Sequence, residues 1–263
     1  MQGWVDWAAS LGGQRALLAP AILTLGALAI GLLPAATGAV ADALGRELRR
    51  PELVLLAPAC LAFLRWPGLS EPLAAVLVLV GLARWLRDDR GWALALFTVA
   101  ALTRETSLLV PVGIGLSIAW STRRLRPALP LAVPAIAYAA WAVVVRIRVG
   151  AFPAGSAQMG LPVQGLVQAI PHWGLPEVAT FLALAACSWL TWRSRNLVLR
   201  NIVVAHLAFL AFLGPLVWWF WWGFGRVTLP LFLLALVGTR TADAESAVSS
   251  EADAEQHPLH PAR

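Results

Sequence analysis

The chain has no lysine, one tyrosine, two methionines and two cysteines, and only 13% of its 263 residues are charged. So few charges, set against 59% apolar residues and a mean hydropathy of +0.73, exclude a water-soluble globule, which would have too little polar surface to cover itself. Lipid must cover much of this chain. The absence of lysine puts the whole basic balance on arginine, 20 residues in all. Up to residue 240, nineteen arginines stand against nine acids, a net charge of +10. That excess falls between apolar runs, where it is the topology signal of a membrane protein; no nucleic-acid partner is expected. Cys60 and Cys187 lie singly in Ala/Leu-rich runs with no CxxC partner, which reads as two small core residues and not as a thiolate metal site. The four histidines show no metal-ligand spacing, and His257 and His260 sit in the polar C-terminal segment. Also missing are a Gly-rich phosphate loop, a nucleophile elbow, an HExxH motif and a secretory signal.

What is present is a series of apolar runs punctuated by arginine. Nine runs are expected to be helical spans: 16–40, 52–65, 69–86, 91–103, 106–120, 128–145, 175–191, 197–213 and 226–239. The expected fold class is therefore all-α, a polytopic transmembrane helical bundle. Several runs are short, since about 14 helical residues rise only about 21 Å against an apolar bilayer core of about 30 Å. Such helices extend past these limits, thin the bilayer or cross it in part. Residues 91–120 as one helix would run about 45 Å. Two short helices meeting in a hairpin at Thr103-Arg104-Glu105-Thr106 fit better.

Orientation follows from the arginines. The clusters Arg46/Arg49/Arg50, Arg84/Arg87/Arg90, Arg123/Arg124/Arg126 and Arg193/Arg195/Arg200 fall on alternate loops and share one side. With Arg240 and Arg263 that side collects 14 arginines and leaves six opposite: Arg15, Arg65, Arg104, Arg146, Arg148 and Arg226. The richer side is expected to be the cytoplasm, for a multi-pass protein of the inner (cytoplasmic) membrane with its C-terminus inside. Residues 1–15 then form an N-terminal outer segment, 16–239 the transmembrane domain and 240–263 a disordered cytoplasmic tail. A Gly/Pro-rich loop, 146–174, carries His172 and Trp173 on the outer side. Nine crossings leave Met1 outside with no helix or signal to carry it there, so a further span is expected upstream.

Charges within apolar helices cost about 2.5–3.5 kcal/mol each at a helix centre, so they tend to face the protein interior and to serve a function. Here they converge on the outer side. Arg65 ends one short helix, Glu71 opens the next in Ser70-Glu71-Pro72, and Arg104 and Glu105 form a turn. Arg226 opens the last span behind Trp218-Trp219-Phe220-Trp221-Trp222. Together they are expected to line an outward-facing cavity, basic and aromatic at its rim. Arginine's planar fork donates two charge-assisted hydrogen bonds to a phosphate. Arg65, Arg104 and Arg226 are thus candidate phosphate ligands, with Trp221 and Trp222 as faces for a sugar ring. Glu71 and Glu105 are candidates to tune those arginines, position a hydroxyl acceptor or act as a base. Structural alternatives stand beside each role. Arg104 and Glu105 cap two helix ends and pair with each other, and an acid before Pro72 suits any helix N-terminus. The tryptophans anchor the chain in the bilayer interface among membrane lipid.

Three segments carry a family resemblance: Leu69-Ser70-Glu71-Pro72-Leu73, Ala101-Leu102-Thr103-Arg104-Glu105-Thr106 and Gly225-Arg226-Val227-Thr228-Leu229-Pro230. In this order and spacing the chain resembles bacterial membrane glycosyltransferases of the GT-C class, the mannosyltransferase-like enzymes, over most of residues 16–239. The resemblance implies a GT-C-like fold and inverting transfer of a sugar from a polyprenyl-phosphate donor to a cell-surface glycan or lipid acceptor. It implies no nucleotide sugar and, in some members, a divalent metal. It also implies a catalytic acid in a first outer loop behind a first transmembrane helix. Residues 1–15 are expected to hold neither that helix nor a full loop, and Asp6 is the one acid among them, the position onto which that role would fall. Two rival readings are kept. A transporter or flippase of a lipid-linked or anionic solute would show internal repeats with broken helices, which are not seen. A non-catalytic membrane subunit or fragment is the other.

Overall fold

A computed structural model of the chain describes residues 15–48, 50–65, 70–150, 159–194 and 196–238. Among these residues every regular element is helical, and the one β feature is an isolated bridge between Met159 and Leu213. The helices are α1 (Arg15–Ala43), α2 (Pro58–Arg65), α3 (Glu71–Leu86), α4 (Arg90–Thr103), α5 (Leu109–Thr122) and α6 (Val133–Val149). They continue as α7 (Gln164–Ala169), α8 (Leu175–Arg193), α9 (Leu197–Ala211), α10 (Pro215–Trp218), α11 (Trp221–Val227) and α12 (Leu229–Gly238). Each apolar run of the sequence contains a helix at its expected place. Residues 1–14 and 240–263, which cover the expected outer segment and tail, lie outside the described residues.

Length separates these helices. Three stretches are long and apolar enough to cross a membrane: Pro20–Ala43 of α1, Arg126–Val149, which is α6 with the 3-10 turn before it, and Leu175–Arg193. Helices α4 and α9 are apolar but shorter, at 14 and 15 residues, a rise of about 21–23 Å. On the long helices Leu28 is 59% exposed, Ile136 64%, Ile147 75% and Leu182 61%. Faces this apolar are stable only against lipid, where every backbone group is already bonded within its own helix. The chain is a helical membrane protein.

Helix α3 is central, lying between α1 and α4 and touching α12 as well. Its Ala74, Ala75, Val78, Leu79 and Leu82 are buried, and the small alanines let backbones approach. At Gly81 a Cβ would come within 2.8 Å of the Phe97 ring on α4. Helix α12 lies on α8, and α11 lies on α2 and α8.

The break at Arg104 falls as the charge pattern expects, because its backbone is extended (φ −154°, ψ 123°) and ends α4. The expected hairpin does not follow. Helix α4 packs on α3 and α6, whereas α5 turns away to pack on α9. The reason is local fit. Gly113 brings α5 against Ile202, and Ser117 Oγ accepts a hydrogen bond from Asn201 Nδ2 at 3.0 Å. The segment expected as a loop, 146–174, is partly helical, since α6 runs on to Val149 and α7 lies on α10. There the Gly160 N–H donates to the Phe212 carbonyl at 2.8 Å, tying this segment to the end of α9.

Arginines tie one end of the bundle. Arg46 Nη1 donates to the Val237 carbonyl at 2.9 Å and Arg87 Nη2 to the Ala39 carbonyl at 3.5 Å, joining the C-terminal ends of α1, α3 and α12. Glu71, Arg104 and Arg226 lie at the other ends of their helices.

Candidate functional site

Three chain segments deliver one charge cluster. Glu71 is the first residue of α3, with Pro72 in the first turn, where a missing N–H costs nothing. Arg104 follows the last residue of α4, and Arg226 stands in the last turn of α11. An acid at a helix N-terminus and cations at two C-termini each complement the local peptide dipoles. Gly225 lets α11 press on α2: a Cβ there would stand 2.7 Å from that of Pro58.

Glu71 is only 4% exposed, and its Oε1 lies 3.4 Å from Arg104 Nη2 and 3.6 Å from Arg226 Nε. Arg104 Nε also reaches Glu105 Oε1 at 3.9 Å, so the neighbour pairing expected from sequence is present but is the longest of the three. The Arg226 guanidinium sits over the Trp222 ring, 5.4 Å from its centroid. These are ion pairs without aligned hydrogen bonds. Both Glu71 oxygens and the Nε of each arginine are buried with no hydrogen-bond partner. Buried charge with unspent bonding capacity is uncommon and calls for a reason.

The void among these side chains measures about 10 Å³, room for one water molecule at most. Among the described residues the side chains expected to line an outward-facing cavity stand close together, while Arg104, Glu105 and Arg226 stay partly exposed. With two charges of each sign, attraction in a low-dielectric setting draws the side chains together.

Glu71, Glu105, Arg104, Arg226 and Trp222 are thus brought together. Trp221 is not; it lines a separate apolar groove of about 480 Å³ with Pro58, Leu61, Ala183 and Phe232. Arg65 closes α2, but its side chain lies outside the described residues, as does all of Asp6. Among the described residues no three His, Cys, Asp or Glu side chains gather that could hold a metal ion. Both carboxylates of the cluster face arginines, so this donor set does not fit the divalent metal that the resemblance allows.

Sequence reasoning misses the brace behind the tryptophans. Glu177 Oε2 accepts the Gly174 N–H at 3.1 Å, and its Oε1 accepts the Trp221 N–H at 3.3 Å. Trp173 Nε1 donates to the Trp218 carbonyl at 2.7 Å while its ring stacks on Phe224 at 5.8 Å. The N-terminus of α8 therefore holds the segment that leads into Arg226. The available signal was Gly174-x-x-Glu177, a capping pattern with Pro176 inside it. Glu177→Ala is expected to lower stability by about 1–2 kcal/mol, read as a drop in Tm in detergent. Glu177→Gln is expected to recover part of it, because an amide oxygen still accepts one of the two bonds.

His172 is exposed and edge-on to Trp219 at 6.1 Å, apart from the cluster. No family model matches the chain, and no curated protein or solved structure matches it either.

Proposed function

We propose that the chain is the core of a GT-C-like membrane glycosyltransferase that holds a polyprenyl-phosphate sugar at the Glu71, Arg104 and Arg226 end of its helices. The observation that carries this reading is the sharing of one buried carboxylate oxygen by two guanidinium groups from different helices. That oxygen stands where a phosphate oxygen would stand. A phosphate brings more charge and more acceptor oxygens than a carboxylate, and it meets the planar arginine forks and their unspent Nε donors better. Glu71 and Glu105, displaced from their arginines, are then free to orient the hydroxyl of a glycan or lipid acceptor. Trp222, with Phe220 stacked on it and Arg226 over its ring, stands beside the phosphate place and is the candidate contact for the sugar. In this reading the bundle makes about nine crossings, its arginine-rich end faces the cytoplasm and the site faces outside the inner membrane.

Retention of labelled undecaprenyl phosphate by the purified protein in nanodiscs tests the site. Arg104→Ala and Arg226→Ala are expected to lower retention at least about tenfold, a loss of about 1.4 kcal/mol or more, with membrane insertion unchanged. Equal retention by wild type and both variants would sink the phosphate assignment. Sugar transfer from a polyprenyl-phosphate donor in membranes then tests the reaction, and retention without transfer favours a transporter or flippase. The small void of about 10 Å³ favours a second reading, in which the cluster only fastens three helix ends. That reading expects no response to lipid phosphate at all.

A further inference from the structure

A second feature shares no lining residue with the Glu71 cluster. Helices α8 and α9 leave between them an apolar groove of about 610 Å³. Phe181, Ser188 and Trp192 line it along one face of α8, Val203 and Leu207 line it from α9, and Trp218 closes its far end. From Phe181 to Trp192 that face rises about 16 Å, the length of most of an acyl chain.

Two polar groups with unspent hydrogen-bonding atoms stand at this groove: Ser188 in its lining and Arg200 beside the lining residues Trp192 and Val203. Arg200, one turn before Val203, lays its guanidinium over the Trp192 ring at 4.6 Å, and its Nε is buried without a hydrogen-bond partner. No carboxylate among the described residues forms an ion pair with it. Ser188, one turn deeper, is 7% exposed, and its Oγ also lacks a partner. A serine or threonine inside a helix usually bonds back to the carbonyl one turn earlier, as Ser117 and Thr191 do here. Ser188 does not, so its hydroxyl is left for something in the groove.

We propose that this groove binds one anionic phospholipid. Its headgroup phosphate rests on Arg200, an ester carbonyl accepts the Ser188 hydroxyl, and one acyl chain runs along the groove to Trp218. The order of chemistry matches: a cation held flat on an aromatic ring, then a hydroxyl one helical turn in, then apolar walls. Exposed Arg193 beside Trp192 adds positive charge at the mouth, which selects a net anionic headgroup over a zwitterionic one. The site is separate from the Glu71 cluster, and its existence does not depend on glycosyl transfer.

Native mass spectrometry of the full chain in detergent, offered equal phosphatidylglycerol and phosphatidylcholine with the same acyl chains, tests the proposal. Wild type is expected to retain one phosphatidylglycerol with at least about tenfold preference, and Arg200→Gln to lose most of that preference. Ala185→Trp, which fills the groove from its exposed side, is expected to abolish retention of both lipids. Arg124→Gln, an exposed arginine outside the groove, is expected to change neither. Equal retention of the two lipids by wild type overturns the proposal without requiring any variant to fold. An unchanged preference in Arg200→Gln overturns it as well.

Discussion

Glu71→Ala is expected to destabilise the protein by about 3 kcal/mol and to leave it responsive to added lipid phosphate. The substitution removes the one carboxylate that both Arg104 and Arg226 share, at 3.4 and 3.6 Å. Two partly desolvated guanidinium groups then face a common gap with no counter-charge except the more distant Glu105. Removing one partner of a buried ion pair costs about 3–5 kcal/mol. The low end applies because the arginine side chains keep 23% and 21% of their surface exposed, and solvent screens them. Glu71→Gln, which keeps volume but not charge, is expected to lose most of the same amount if charge is what matters. Tm in detergent reads both variants. Adding undecaprenyl phosphate separates the two readings of the cluster. If the arginines are a phosphate site, the lipid refills the vacated place and restores at least half of the lost Tm, since a ligand that binds only the folded state stabilises it. If the cluster only fastens helices, the lipid restores nothing. A change below about 0.5 kcal/mol in Glu71→Ala, the range of an ordinary surface substitution, would remove the physical basis of both.

The second large effect is expected at a helix crossing outside the Glu71 cluster. Gly113→Val should cost about 3 kcal/mol, because even the Cβ alone would stand 2.6 Å from Ile202 Cα and 2.7 Å from its backbone nitrogen. Backbone atoms cannot move aside by changing rotamer, so α5 must lift away from α9. That motion also breaks the 3.0 Å hydrogen bond between Asn201 and Ser117. Gly31→Ala on α1 is the matched control. Nothing lies within 4 Å of the added carbon there, and alanine in a helix is favoured over glycine by about 0.5–1 kcal/mol. Unfolding in mixed micelles is expected to rank Gly31→Ala at or above wild type and Gly113→Val far below it. A Gly113→Val protein that unfolds like wild type would mean that α5 and α9 do not cross this closely.

Much of the candidate site was legible before any coordinate. Glu71, Arg104 and Arg226 stood out because each interrupts or borders an apolar run, and in lipid such residues face inward or toward function. Their partners were not legible. Adjacency in the chain pairs Arg104 with Glu105, yet the closer contact is with Glu71 from another helix. The brace from Glu177 to Trp221 joins residues whose proximity no local pattern encodes. Nor could the close approach of these side chains be read, because whether opposite charges meet depends on how their helices pack.

Composition and the placement of arginine determined by themselves that this is a helical membrane protein and where its helices stop. The reason is that backbone in lipid must bond within its own helix, and a charge is costly at mid-helix, so both leave a mark on the linear order of residues. Which helices touch was decided only in three dimensions. Lipid supplies little apolar drive for one helix to choose another, so the choice falls to shape: Gly81 under Phe97, and Gly113 against Ile202. Fit of that kind joins positions distant in sequence, and with it came the meeting of one buried carboxylate with two arginines.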